Sequence, residues 1–219
     1  MARKKIICLA NSRKLQKHCV AGKDSDGNWI RLVNPGGSEL ALEDIINERG
    51  EQPKLLETWE IEVIRNEPLY YQPENWVIDS RYYWKKSEEP IGINFRKLRD
   101  RPWTLFGDEV DYLTKEDLQS NSIRQSLCLI YTDNVIFRKT RNINNRDQVR
   151  AIFYYNDNYY NLVVTDYEWE AKFIGPDARY SNYADYRYNA GLYLTIGLGA
   201  EFNEKHYKLV VGVIPSQDI

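Results

Sequence analysis

The chain has 219 residues, 42% of them apolar and 13% aromatic, and a formal net charge of −2. This is a folded composition, which excludes a disordered segment, and the charge excludes a binder that relies on bulk positive charge. The length suits one large domain or two small ones with a real core.

Charge is segregated along the chain. Residues 1–31 carry eight Lys/Arg against two Asp/Glu, and residues 32–79 carry three against eleven. Basic blocks return at 80–104, seven against three, and at 134–151, five against one. A near-neutral protein can present a basic groove where such blocks meet. Cys8, Cys19 and Cys128 lie in or beside apolar runs, which suits reduced, packed thiols in a cytoplasmic protein. With only His18 and His206, and no Cys-x-x-Cys pair, neither a metal site nor another cofactor is expected. No apolar run has the length of a signal-peptide core or a membrane span, so no membrane partner is expected either.

Taken in order, Lys5 to Ala10 reads as a strand. A basic loop, Asn11-Ser12-Arg13-Lys14, leads to a second strand, His18 to Lys23. Gly22 marks a bulge or bend of the kind that closes small barrels. The turn at Asp26-Gly27 delivers a third strand, Asn28 to Val33, in which Trp29 and Arg31 share a face. Asn34-Pro35-Gly36-Gly37 breaks the sheet, and a short helix is expected from Ser38 through Ile46. Leu55 to Ile64 alternates as a half-buried strand with an acidic outer face. These elements approach a five-stranded oligonucleotide-binding (OB) barrel at residues 1–69, although an SH3-like barrel fits almost as well.

Residues 70–122 are irregular. Tyr70 to Asp79 reads as a connector, Phe95 and Leu98 have helical spacing, and Thr114 to Asp117 is a capped helix start with Leu113 and Leu118 as its staple. From 123 to 219 the β signal returns. Ser126–Tyr131, Val135–Lys139, Val149–Tyr155 and Tyr159–Thr165 are four strands, the last two joined by a tight turn at Asn156-Asp157-Asn158. Glu168 to Phe173 is expected to extend the sheet. A tyrosine-rich loop (Tyr180, Tyr183, Tyr186, Tyr188) follows, and Leu192–Leu198 with Tyr207–Ile214 forms a closing hairpin. The fold class expected is mainly β, with two small OB-like β-barrels joined by a partly helical, irregular bridge.

The strings LANSRK, CVAG, WIRLV, QPENWVID, NLVVTDYEWE, LYLTIGLGAEF and YKLVVGVI resemble, in order, the dual OB-containing (DuOB) domain proteins, from Ile6 to Ile214. One departure is Leu32, where the family form has proline. The resemblance implies a prokaryotic protein with two fused OB-type barrels. It also implies a nucleic-acid-binding role, connected with conflict or defence systems. It carries no catalytic residue.

The residues expected to meet a nucleic acid are Asn11, Ser12, Arg13 and Lys14, with Trp29 and Arg31 beside them. Cations would neutralise phosphates, Ser and Asn would donate to them, and Trp would offer a stacking plane. If Trp29 points inward, Arg31 must be paired or reach out along its stem. In the second barrel, Tyr159, Tyr160 and Trp169 are the rings offered to bases, with Tyr160 and Trp169 carried forward as site residues. Arg138 and Lys139 add phosphate contacts. The partner expected is single-stranded nucleic acid, with no catalysis. A protein–protein adaptor in a multi-subunit assembly, with its own protein partners, is the alternative. A metal-dependent nuclease built on Glu170 and Lys172, with Asp157 or Asp166 on an adjoining strand, is a thinner one.

Overall fold

The computed structural model describes residues 2–14, 17–89, 91, 95–107, 109–120, 123–176 and 178–219. The chain forms two compact units, residues 1–98 with 124–126, and residues 99–123 with 127–219. The stretch 70–122, expected as a separate bridge, is therefore divided between them.

The first unit is built on β1 (Ala2–Lys14), β2 (Lys17–Lys23), β3 (Trp29–Val33), β4 (Thr58–Asn66) and β5 (Asn75–Ile78), with a short β6 (Lys85–Lys86) added to β4 and a single helical turn, α1 (Phe95–Leu98). The strands run β1-β2-β3-β5-β4, and β4 pairs back onto β1, so the sheet closes. The β3–β5 pair is parallel, the others antiparallel. This is the OB order rather than the SH3-like one. One long strand serves both sides of the closure: Ala2–Ile7 pairs with β4, and Ile7–Lys14 with β2. It bends where its register shifts between Cys8 and Ala10, opposite Gly22. A Cβ on Gly22 would sit 2.1 Å from the Ile7 carbonyl oxygen, so the bend admits only glycine. Ile6, Cys8, Val20, Ile30, Leu32, Trp59, Ile61 and Val63 fill the interior.

Three expectations change here. Asn11 to Lys14 is strand, not loop, because it carries the second half of β1. The 70–79 connector contains β5, the parallel partner that β3 needs for closure. The helix expected from Ser38 is two short 3-10 turns, Pro35–Gly37 and Leu42–Asp44. Asp44 Oδ2 accepts from Ala41 N at 2.8 Å and from Asn34 Nδ2 at 2.9 Å, which fixes a tight turn instead of a longer helix.

Basic and acidic blocks that are segregated in sequence are neighbours in this sheet. Arg3 lies opposite Glu62, and Lys5 opposite Glu60. Arg3 pairs with Glu62 at 2.6 Å, Lys5 with Glu60 at 3.9 Å and Lys86 with Glu57 at 2.5 Å, while Lys4 covers the Trp76 ring at 3.6 Å. Cross-strand complementarity of this kind sets register more than stability.

The second unit comprises β7 (Tyr112–Thr114), α2 (Lys115–Ser120), β8 (Leu127–Thr132), β9 (Val135–Arg141), β10 (Asp147–Tyr155), β11 (Asn158–Val164), α3 (Tyr167–Glu170), β12 (Asp185–Tyr188), β13 (Leu192–Phe202) and β14 (Lys205–Pro215). The expected cap on α2 is present: Thr114 N and Oγ1 donate to Asp117 Oδ2 at 2.8 and 2.7 Å. Its sheet runs β12-β9-β10-β11-β14-β13-β8, with β7 on β14. Because β8 and β9 are one path interrupted at Asp133-Asn134, the order of the first unit is repeated, including a parallel third-to-fifth strand pair, β11–β14. Phe137, Phe153, Tyr160, Leu162, Trp169, Phe173 and Val210 are among its core. The β10–β11 and β13–β14 hairpins each turn on two left-handed residues, Asn156-Asp157 and Asn203-Glu204. The closing hairpin is therefore longer than its expected strands.

Glu168 to Phe173 does not extend the sheet. The Asp166 side chain accepts from Trp169 N at 3.0 Å and starts α3 instead. Its other oxygen accepts from Val213 N at 2.8 Å, so a single buried carboxylate ties α3 to β14. Burial pushes this carboxyl up to about 6, against the pull of the two N–H groups. A raised folded-state pKa means that the folded protein binds the proton more tightly. The resulting stabilisation is complete below the unfolded value near 3.8 and is lost as pH rises through about 6. Denaturant titrations between pH 4 and pH 7 are expected to show this loss, on the order of 2–3 kcal/mol, and Asp166→Asn to remove it from the profile. An unchanged profile in the variant would assign the loss to other groups.

Candidate nucleic-acid interface

OB barrels bind oligonucleotides on the face of their second and third strands. In the first unit that face belongs to β2 and β3, and every residue of β3 is buried. Lys23 Nζ donates to the Leu98 carbonyl at 2.7 Å and lies 5.0 Å from the Trp29 ring. Arg31 Nε meets Glu74 Oε1 at 3.3 Å, and its Nη2 donates to Ser126 Oγ at 2.9 Å. Ser126 completes the network by donating its backbone N–H to Glu74 Oε2 at 3.0 Å and its hydroxyl to Glu74 Oε1. The sequence expectation that an inward Trp29 requires a paired Arg31 describes this arrangement. The two residues are together, but they face protein.

The neighbouring residues of β1 divide. Asn11 is buried: its Nδ2 donates to the Pro53 carbonyl at 2.8 Å, and its Oδ1 lies 3.1 Å from His18 Nδ1. Ser12 is buried beside it, and Arg13 is exposed. Burial, with help from the Arg13 charge, lowers the His18 pKa. Lys14 pairs with Lys17 at the end of the ladder, and its side chain lies outside the described residues.

In the second unit the equivalent face, on β10 and β11, is open. Tyr154 and Tyr159 are opposite one another, with ring centroids 5.6 Å apart in an edge-to-face arrangement, and are 66% and 51% exposed. The next rung places Ile152 against Asn161 and Ile136, with Arg187 of β12 beyond. The rung after that carries Arg150, Arg138 and Asp185. Arg138 grips Asp185 with two hydrogen bonds of 2.7 Å, which hold that carboxyl below its usual range. Arg150 donates to Asn161 Oδ1 at 2.7 Å and lies 3.5 Å from Asp111. Lys139 points to the other side of β9, where it meets Asp147 at 3.3 Å. At the hairpin tip Asn156 Nδ2 donates to the carbonyls of Pro102 and Trp103, and Trp103 is 80% exposed.

Of the three rings offered to bases, Tyr160 and Trp169 are core residues. Tyr160 lies 5.6 Å from Phe153, and its hydroxyl accepts from Leu105 N at 3.1 Å. Trp169 packs against Phe137 at 5.0 Å and lies under the Lys172 ammonium at 3.8 Å. On the β10–β11 face the rings that reach solvent are Tyr159, one residue from Tyr160, and Tyr154, which sequence reasoning missed. The signal was parity: Tyr160 shares its face with Leu162 and Val164, whereas Tyr159 shares its face with Asn161. The residues of the nuclease alternative are not on adjoining strands, because Glu170 ends α3 and Asp166 caps it. Burial raises the Glu170 pKa and lowers that of Lys172. Among the described residues no group of three His, Cys, Asp or Glu side chains is placed to hold a metal ion. No described helix is long and apolar enough to cross a membrane.

The paired barrels define an OB-type protein, and the family comparison agrees. The family model of the dual OB-containing domain matches residues 4–213, and the chain belongs to that family. No curated protein matches it. Among solved structures, the crystal structure of the tetrameric p202 HIN2 is similar over 95% of this chain and 87% of that chain, at 9% identity and a TM-score of 0.32.

Proposed function

We propose that this protein binds single-stranded nucleic acid, without catalysis, on the outer face of β10 and β11. The exposed Tyr154–Tyr159 pair carries the reading: two amphipathic rings stand on the strands with which OB barrels meet oligonucleotides, with guanidinium groups on the neighbouring rungs. Base–aromatic stacking tolerates any sequence, so little base preference is expected. On β9 and β10, Arg138, Lys139, Arg141 and Arg150 already have carboxylate partners, so stacking outweighs phosphate neutralisation there. Fluorescence polarisation with labelled dT and rU oligonucleotides tests this. Binding is expected at low salt, with a shallow log–log salt slope of roughly −1 to −2, as for one to three phosphate contacts on a single strand. Absence of binding to either oligonucleotide at low salt would overturn the proposal.

A further inference from the structure

We infer that a cleft at the seam of the second barrel takes one unstacked nucleobase of the bound strand, with that nucleotide's phosphate on Arg187; this rests on the strand-binding reading above. The seam is the break at Asp133-Asn134 where β8 gives way to β9. A cleft of about 450 Å3 opens there, bordered by Asn134, Ile136, Ile152, Tyr154, Arg187 and Asn189. That volume lies within the ~300–1,000 Å3 of small-molecule sites.

Each border group suits one part of a nucleotide. Ile136 and Ile152 are cross-strand neighbours and make an apolar floor for a flat ring. Tyr154 belongs both to the cleft and to the exposed tyrosine pair, so a strand stacked on the face is continuous with the cleft. The single Thr132 hydroxyl proton is shared between the Tyr154 and Asn134 carbonyls, 3.3 and 3.4 Å from Oγ1, which ties together the backbone on both sides of the opening. The amides of Asn134 and Asn189 each offer a donor and an acceptor to a base edge. Arg187 stands beside Ile136 on the edge strand. The acid on its own strand, Asp185, gives both oxygens to Arg138, and among the described residues no carboxylate lies within 4.0 Å of the Arg187 guanidinium. Arg187, whose charge acts on Asp185 only at a distance and without an ion pair, is thus a cation on this face placed to meet a phosphate. Asp133 also lines the cleft, and its carboxylate is hydrogen-bonded to the Tyr131 side chain.

The test is an amide NMR titration of the full chain with dT10, adenosine monophosphate, adenosine and inorganic phosphate in turn. The expected result is that adenosine monophosphate shifts Asn134, Ile152 and Asn189. Arg187→Gln should weaken this binding about tenfold, as for loss of a charge-assisted hydrogen bond, and leave adenosine binding unchanged. Tyr154→Ala should weaken both ligands. If dT10 shifts the Tyr154–Tyr159 hairpin while no ligand shifts the cleft, the inference fails and strand binding stands. If phosphate alone reproduces the shifts, base recognition fails. If dT10 shifts nothing, the strand-binding reading fails and takes this inference with it.

Discussion

Replacing Tyr154 and Tyr159 together by alanine lowers the affinity for a dT oligonucleotide by roughly tenfold or more, because each stacked base is worth about 1–3 kcal/mol. Stability changes little, since the pair is exposed and its mutual contact contributes only about 0.2–1 kcal/mol. Polarisation binding beside a thermal melt separates the two effects. The matching control is Tyr160→Phe. It removes the acceptor for Leu105 N in the core and leaves the outer face intact, so it should destabilise the fold without touching affinity. If the double alanine variant binds as tightly as the parent, the β10–β11 face is not the site.

Glu74→Ala is expected to destabilise the first unit by about 3–5 kcal/mol, because it strands the buried Arg31 guanidinium and the Ser126 N–H. The network is buried: both charged side chains are less than a tenth exposed. Removing one partner therefore costs far more than the pair contributes. The triple replacement Arg31→Met, Glu74→Leu, Ser126→Ala removes every member and should recover much of the loss. Guanidinium unfolding curves read both variants. An equal loss in the two would assign the effect to packing rather than to a stranded charge. Oligonucleotide affinity of folded Glu74→Ala protein should match the parent, since this network occupies the face of the barrel that does not bind.

Much of the fold was legible because its strands alternate cleanly. The hydrophobic run at Lys5–Ala10, the Gly22 bend and the four strands from Ser126 each correspond to barrel staves. What misled was chemistry that looks solvated in isolation. Asn11 and Ser12 are polar and adjoin a basic pair, yet they lie inside β1, where Pro53 and His18 meet the Asn11 amide. QPENWVID has a proline and irregular polarity, but its last residues form the parallel partner that closes the first barrel. Such long-range pairing leaves no local mark. Glu168–Phe173 follows closely on a strand and so reads as its extension, but its Glu, Ala and Lys favour helix and the Asp166 cap starts one. The basic block at 1–31 did not mark a groove, because Arg3 and Lys5 meet the acidic residues of β4, Arg31 meets Glu74, Lys23 meets the Leu98 carbonyl and Lys4 covers Trp76.

The buried Arg31–Glu74–Ser126 network also sets a count. A duplicated fold invites the assumption of two binding grooves per polypeptide, yet the first copy spends its groove-forming strands on internal bonds. The protein should then titrate as one site per chain. Its footprint should be that of a single OB module, about 4–16 nucleotides, rather than twice that length.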